Sequence, residues 1–412
     1  MKHYVFISYI IGSGGVQCYI ASKAKYLESV GWHVIVISGN NPKSNEKCLI
    51  DYLNKFLPYG NPLIDINPCQ LPRFLVYRTL RKCLASIGPI SDQDEIVVES
   101  WNCQTAIWAE LIASRIHGRH FFWTANEYYR GGNTLYEEKI GFFEFKMDRG
   151  EIFTSLQVAN RLFKDYRQYK TGDFIEVSIT EDPVQDVEEP SVESLKKKDW
   201  NVCYIGRSMK AYVPNIYKGI ELFAKKHPEK EIQFIIVGEV GETQRKLLPF
   251  HVPNLTIMEL GDLYPLPRKL FSKTDVIIAG SGSARHSADE GALVITADAE
   301  TKYSHGLLGY DTNESVYCDI EADSTISISF DEALEKALVK QTWRDTPNRW
   351  VGSATIKESV AVQTRIIENA EKKMEYYDER RLLEGRLDFK SLLRTVCSTL
   401  YWSLRTTIFG MK

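Results

Sequence analysis

The sequence predicts an α/β protein of two parallel-sheet halves, and three observations carry that prediction. Short β-rich apolar runs alternate with stretches of helical period, the pattern of strands joined by crossover helices. At 412 residues the chain is too long for one core of ordinary size, and 44% apolar residues is enough to build two. Between the halves, Glu181 to Asp199 turns acidic and proline-bearing and ends in Lys196-Lys197-Lys198, the composition of a linker at 181–199.

In the first half, residues 1–180, strands are predicted at Tyr4–Ile11, His33–Ser38, Glu95–Glu99 and His120–Thr124, with helices near Gln17–Val30, Leu71–Ile87 and Cys103–Ile116. Lys2 followed by Tyr4–Ile11 has the outline of a signal segment. Eight apolar residues are few for one, however, and Gly12-Ser13-Gly14-Gly15 follows as a strand-to-helix turn does, so a buried first strand is the reading. The second half, 200–350, repeats the α/β rhythm from Asn201 to about Ala297 and adds a helix at Phe330–Val339. Ile356, Val360, Ile367, Ala370 and Met374 then mark an amphipathic helix within 351–378.

The segment 386–412 carries Arg386, Lys390, Arg394, Arg405 and Lys412 against the single acid Asp388, with Leu392, Leu393, Val396, Leu400 and Trp402 among its apolar residues. Such a segment suits the headgroup zone of an anionic bilayer, or a terminal helix docked on the protein itself. No run of about 18 apolar residues occurs, so no membrane-spanning helix is predicted.

A formal charge of −3 and a pI near 6.3 give no overall pull toward nucleic acid. Eight cysteines are scattered without a C-x-x-C pair, which reads as buried thiols in a reducing, cytoplasmic compartment. No carboxylate cluster has metal-ligand spacing, so neither a metal nor a cofactor is expected.

The chemistry concentrates in Tyr204 to Gly219, YIGRSMKAYVPNIYKG. Gly206 at a strand end lets the backbone approach a ligand, and the cations Arg207 and Lys218 near a helix start suit a diphosphate. The competing reading is two solvated surface cations. Gly280-Ser281-Gly282-Ser283, between an apolar strand and a short helix beginning near Ala284, offers a second phosphate seat. The loop at 12–15 is not a dinucleotide fingerprint, because Gln17 stands where a third glycine should fall and Ser38-Gly39-Asn40 replaces the acid that holds a ribose. It is instead either a phosphate-facing loop, through Gly14 and Gly15, or a plain tight turn. In HFFWTANEYYR, residues 120–130, Glu127 follows an aromatic strand end, where it can orient an acceptor hydroxyl or simply be solvated.

These segments, with FIIVG (234–238), LTIMELGDL (255–263), DVIIAG (275–280) and GALVI (291–295), resemble in kind and order the second half of a GT-B glycosyltransferase of the retaining family 4, also called group 1. YVFISYIIGSGG (4–15) and GWHVIVIS (31–38) resemble that family's opening. The resemblance implies two Rossmann-like domains facing each other across a cleft, an acceptor domain and then a nucleotide-sugar donor domain, with a C-terminal helical extension that crosses back to the first. It implies a transferase taking a nucleotide diphosphate sugar to a glycan or lipid-linked glycan in polysaccharide biosynthesis, peripheral on a membrane. Arg207, Lys218 and Glu127 would be catalytic, and Gly14, Gly15, Gly206, Gly282, Ser283, His286 and Glu290 would hold the donor.

One feature departs from the family. Its two glutamates, eight positions apart, fall here on Ile278 and His286, which leaves His286 or Glu290 for the ribose. A nucleotide-sugar isomerase of the same fold, or a silent subunit that binds a partner transferase, are the alternatives.

Overall fold

The computed structural model describes residues 1–8, 15–39, 59–60, 62–124, 138–154, 184–299, 301–315, 327–352, 357–358, 360–361 and 374–385. Two compact units result: Met1–Asn126, Gly131–Thr180 and Thr355–Lys412 make the first, and Glu181–Ala354 forms the body of the second.

In the first unit, β1 (Lys2–Ser8), α1 (Gly15–Ser29), β2 (His33–Ser38), β3 (Tyr59–Gly60), α2 (Arg73–Ile87), β4 (Glu95–Ser100), α3 (Cys103–Ile116), β5 (Arg119–Trp123), α4 (Ile140–Asp148) and β6 (Ile152–Phe153) follow in order. The six strands are parallel in the order β3-β2-β1-β4-β5-β6. The central strands are buried on both faces, so HYVFI and VIVIS are near-continuously apolar rather than alternating. Asn102 starts α3 by accepting the Thr105 amide at 2.8 Å, and His117 ends it in the left-handed conformation.

The second unit runs β7 (Val184–Gln185), α5 (Pro190–Glu193), β8 (Trp200–Ile205), α6 (Val213–Lys226), β9 (Ile232–Val237), α7 (Glu242–Arg245), β10 (Leu255–Gly261), β11 (Leu266–Pro267), α8 (Arg268–Ser272), β12 (Val276–Ala279), α9 (Ser281–Asp289), β13 (Val294–Thr296) and α10 (Phe330–Leu334). Its five-stranded parallel sheet has the order β10-β9-β8-β12-β13. One face packs on α6 and α10 through Ile216, Phe223 and Phe330. The opposite face packs on Val184, Val192, Leu270 and Ala284. Gly219 permits the first packing, since a Cβ there would stand 2.5 Å from the Phe330 Cβ.

Residues 184–199 are therefore not a bare linker. Val184, Val192 and Leu195 are buried in the second unit's core, and β7 pairs with β11. Their apolar side chains, spaced among acids and a proline, outweigh the polar composition.

After the second unit the chain returns to the first. Val360 is buried with Tyr4, Phe6 and Trp123. The segment 374–385, with α11 (Glu379–Leu382), is held there by Tyr377 N–H donating to Glu110 at 2.9 Å, an Arg115–Glu379 ion pair at 3.0 Å and the Cys69 thiol against the Leu382 carbonyl at 3.0 Å. Segment 386–412 and most of 351–378 lie outside the described residues.

Candidate functional site

In the second unit the chain builds β8, β9 and β10 outward in one direction, then returns to the other side of β8 to place β12 and β13. The carboxyl ends of β8 and β12 therefore flank a topological switch point, where an open α/β sheet leaves a crevice for ligand. Ile205 pairs with Ala279, so Gly206 and Gly280 leave the sheet side by side.

Backbone crowding at these strand ends explains the glycines. Gly206, Gly238 and Gly261 follow one another across β8, β9 and β10, with positive φ of 156°, 131° and 71°. A Cβ at Gly238 would come 2.2 Å from the Gly206 carbonyl oxygen, and one at Gly280 would come 2.6 Å from that of Ala297. Side chains are excluded, and a polar floor of main-chain groups is what remains.

Helix α9 begins directly at this floor. It starts at Ser281 rather than near Ala284, which puts Gly282 and Ser283 inside its first turn. Ser281 has φ 56°, a left-handed conformation unusual for a residue with a side chain, and its amide donates to the Ser315 carbonyl at 2.8 Å. Gly282 and Ser283 supply the next first-turn amides, which have no carbonyl one turn back to meet. At Gly282 there is open space, since a Cβ would meet only the His286 Nε2, at 3.9 Å. Burial pushes the His286 imidazole down to about 4, with Asp289 opposing and Arg285 adding to the shift, so the ring is neutral at pH 7. The first turn thus offers main-chain donors, an open wall and an uncharged imidazole, an arrangement suited to phosphate oxygens.

Arg207 is exposed on the turn after β8, which is fixed by the Tyr204 hydroxyl and the Lys210 amide, both donating to the Arg207 carbonyl at 3.0 and 3.2 Å. Lys218 is not brought to this point. It lies in the second turn of α6, more than half exposed, and pairs with Glu221 at 3.1 Å in a surface group that includes Lys225 and His251. The intervening Ser208-Met209-Lys210-Ala211-Tyr212 turn delays the helix start to Val213, so Lys210 is the lysine left beside the strand end, 5.7 Å over the Tyr212 ring. Its signal in the sequence was its position between the strand end and Pro214, which marks the helix start three residues on at Val213.

Glu290 is also directed elsewhere. It caps the far end of α9, where its carboxylate accepts from Arg268, which also pairs with Asp186 at 3.2 Å. Of the two ribose candidates, His286 faces the first turn and Glu290 does not. Ile278 lies wholly buried in β12, where a glutamate has no route to a ligand.

In the first unit the corresponding switch point lies between β1 and β4, where Ile7 pairs with Ser100. Ser100 Oγ lies 2.8 Å from His120 Nε2, and His120 Nδ1 lies 2.7 Å from Glu110, which pairs with Lys146 at 2.9 Å. Burial raises the Glu110 carboxyl, but Lys146 and His120 outweigh it and hold the pKa down to about 2. Burial, reinforced by Lys146, lowers His120 to about 4. With Glu110 ionised, Nδ1 carries the proton and Ser100 donates to Nε2. Gly15 is the first residue of α1, whereas Gly14 and Glu127 lie outside the described residues.

No family model matches the chain, and no curated protein matches it by sequence. Its structure is similar to that of many solved proteins. A glycosyltransferase from Rickettsia africae ESF-5 aligns at 14% identity over 98% of each chain with a TM-score of 0.54. A UDP-N-acetylglucosamine 2-epimerase aligns at 13% over 92% of this chain and 100% of that one, with a TM-score of 0.52. Anabaena HepE, solved with UDP and glucose, aligns at 10% over 99% and 100%, with a TM-score of 0.51. The fold is that of the GT-B type, two Rossmann-like α/β units with parallel sheets.

Proposed function

We propose that this chain is a glycosyltransferase that seats a nucleoside diphosphate sugar at the carboxyl ends of β8 and β12. The observation that carries the reading is the glycine-walled switch point, with Gly206, Gly238 and Gly280 crowding side chains out beside the first-turn amides of α9. In the reaction the bond from the anomeric carbon to the β-phosphate oxygen breaks, and the diphosphate leaves with the electron pair. An acceptor hydroxyl oxygen bonds to that carbon, and its proton passes to the departing diphosphate oxygen. Negative charge grows on the departing phosphate, where Arg207, Lys210 and the Gly282 and Ser283 amides stabilise it. Neutral His286 adds a hydrogen-bonding group without charge. The acceptor is a glycan or lipid-linked glycan of polysaccharide assembly, and the anomeric configuration is retained, by resemblance to family 4.

Epimerisation of the nucleotide sugar is the second reading, supported by the likeness to the 2-epimerase.

Calorimetry with free UDP and GDP, followed by nucleotide-sugar turnover with and without acceptor glycans, tests the proposal. Diphosphate binding with acceptor-dependent release of nucleotide supports transfer. Acceptor-independent conversion of the sugar supports the epimerase, and no diphosphate binding removes both.

A further inference from the structure

We propose that the outer face of α2 (Arg73–Ile87) is a docking surface for an anionic phospholipid bilayer. The helix, RFLVYRTLRKCLASI, contains four basic residues and no acid. Val76, Thr79, Leu80, Cys83 and Ile87 face the core, a stripe of helical period that leaves one continuous outer face. On that face stand Arg73, Phe74, Tyr77, Arg78, Arg81 and Lys82, all exposed.

Phe74 decides the character of the surface. It is 68% exposed, and at 100° per residue it projects near the middle of the face, between Arg73 and Tyr77 on one side and Arg78 and Lys82 on the other. An aromatic ring in a field of cations is the pattern of an interfacial helix, in which the ring enters the acyl boundary and the cations meet headgroup phosphates. A whole-molecule charge of −3 makes this basic helix face, bordered by an acid only where Glu379 meets Tyr77, a local feature rather than a general property of the surface.

A second observation points the same way. The segment 374–385 packs beside α2, with the Tyr77 hydroxyl donating to Glu379 at 3.0 Å. Gly385 is pressed so closely on Cys69 that a Cβ there would lie 2.7 Å from the Cys69 side chain. The chain therefore leaves toward residue 386 next to the start of α2, and the sequence that follows has five cations against one acid among leucines and tryptophan.

The test is co-sedimentation of the full chain with vesicles of phosphatidylcholine and phosphatidylglycerol at about 7:3, against pure phosphatidylcholine, at low salt. Wild type is expected to bind the anionic vesicles and to lose that binding at about 0.5 M NaCl. Arg78→Ser/Arg81→Ser should lower partitioning about 20-fold, and Phe74→Ser about tenfold, each with an unchanged thermal midpoint because the positions are exposed. Equal binding to neutral vesicles, or vesicle binding within twofold of wild type in both variants, overturns the proposal. Tighter binding to a short DNA duplex or heparin than to the vesicles also overturns it, assigning the face to a soluble polyanion.

Discussion

The two units share a parallel-sheet plan and a switch point, yet they use polar residues in opposite ways. Between the sheet of the first and its helices α3 and α4, Ser100, His120, Glu110, Lys146 and Glu151 are all buried and bonded in a chain, and Lys23 and Glu99 form a second buried pair at 2.5 Å. At the strand ends of the second, glycines remove side chains and Arg207 stands exposed. A closed network satisfies itself and fixes one packing, whereas the first-turn amides of α9 have no carbonyl one turn back and remain for a ligand to meet. The contrast teaches that perturbed ionisation alone is a poor guide to a site here. His120 and His286 both fall to about 4, and only the second adjoins open first-turn amides.

The sharpest break of that comparison is Glu110→Ala. It strips the buried His120 Nδ1 and the Tyr377 amide of their shared acceptor and leaves Lys146 with Glu151 alone, so we expect a loss of about 3–5 kcal/mol in urea unfolding. The nucleotide affinity of the folded protein should stay within about twofold, because the network lies in the other unit. A loss of less than about 1 kcal/mol would mean that the network does not fix the first unit's packing.

His120 makes the closed network sensitive to acid. Its folded pKa, about 4, is depressed from the unfolded 6.5, so between these values the unfolded chain binds more protons. The stability it supports is fully present above pH 6.5 and is lost as pH falls toward 4, on the order of 3 kcal/mol. Glu110, depressed from 4.5 to about 2, extends the loss below pH 4.5. Urea midpoints across pH 4–7 should fall steeply in wild type and less steeply in His120→Gln.

In the open unit the expected signature is the reverse, a functional loss with little change in stability. Arg207→Ala should leave the unfolding free energy within about 0.5 kcal/mol yet lower turnover roughly 10²-fold, with Lys210→Ala following in kind. Lys218→Ala should leave turnover within about twofold, because its ammonium is committed to Glu221 on the outer surface of α6. A large loss at Lys218 would reinstate it as the diphosphate lysine and displace Lys210.

These assignments separate what the sequence could and could not reveal. Strands such as His33–Ser38 and helices such as Cys103–Ile116 were legible because periodicity and caps are local signals. That Gly206 and Gly280 close strands was legible too, since each directly follows an apolar run. The ion pairs of Lys218 with Glu221 and of Glu290 with Arg268 were not legible, because the partner a cation or a carboxylate turns to depends on the helix start and on distant residues, which sequence spacing does not encode. The buried pairing of Glu110 with His120 and Lys146 was invisible, because it joins three elements at separations no local pattern records.

Gly282→Ala is the smallest and most discriminating change. The added methyl has room, with only the His286 Nε2 at 3.9 Å, and Gly282 is not among the glycines with positive φ. Replacing a helical glycine of ordinary backbone by alanine stabilises by about 0.5–1 kcal/mol through the unfolded chain, so the thermal midpoint should rise. The same methyl occupies the open wall beside the first-turn amides, where a phosphate oxygen must approach. Diphosphate affinity should therefore fall, by about tenfold in calorimetry, while stability climbs. A protein that is stabilised and binds diphosphate as well as wild type would show that the first turn of α9 is only a well-made helix start. A protein that loses both stability and binding would show instead that the space at Gly282 is not open in solution.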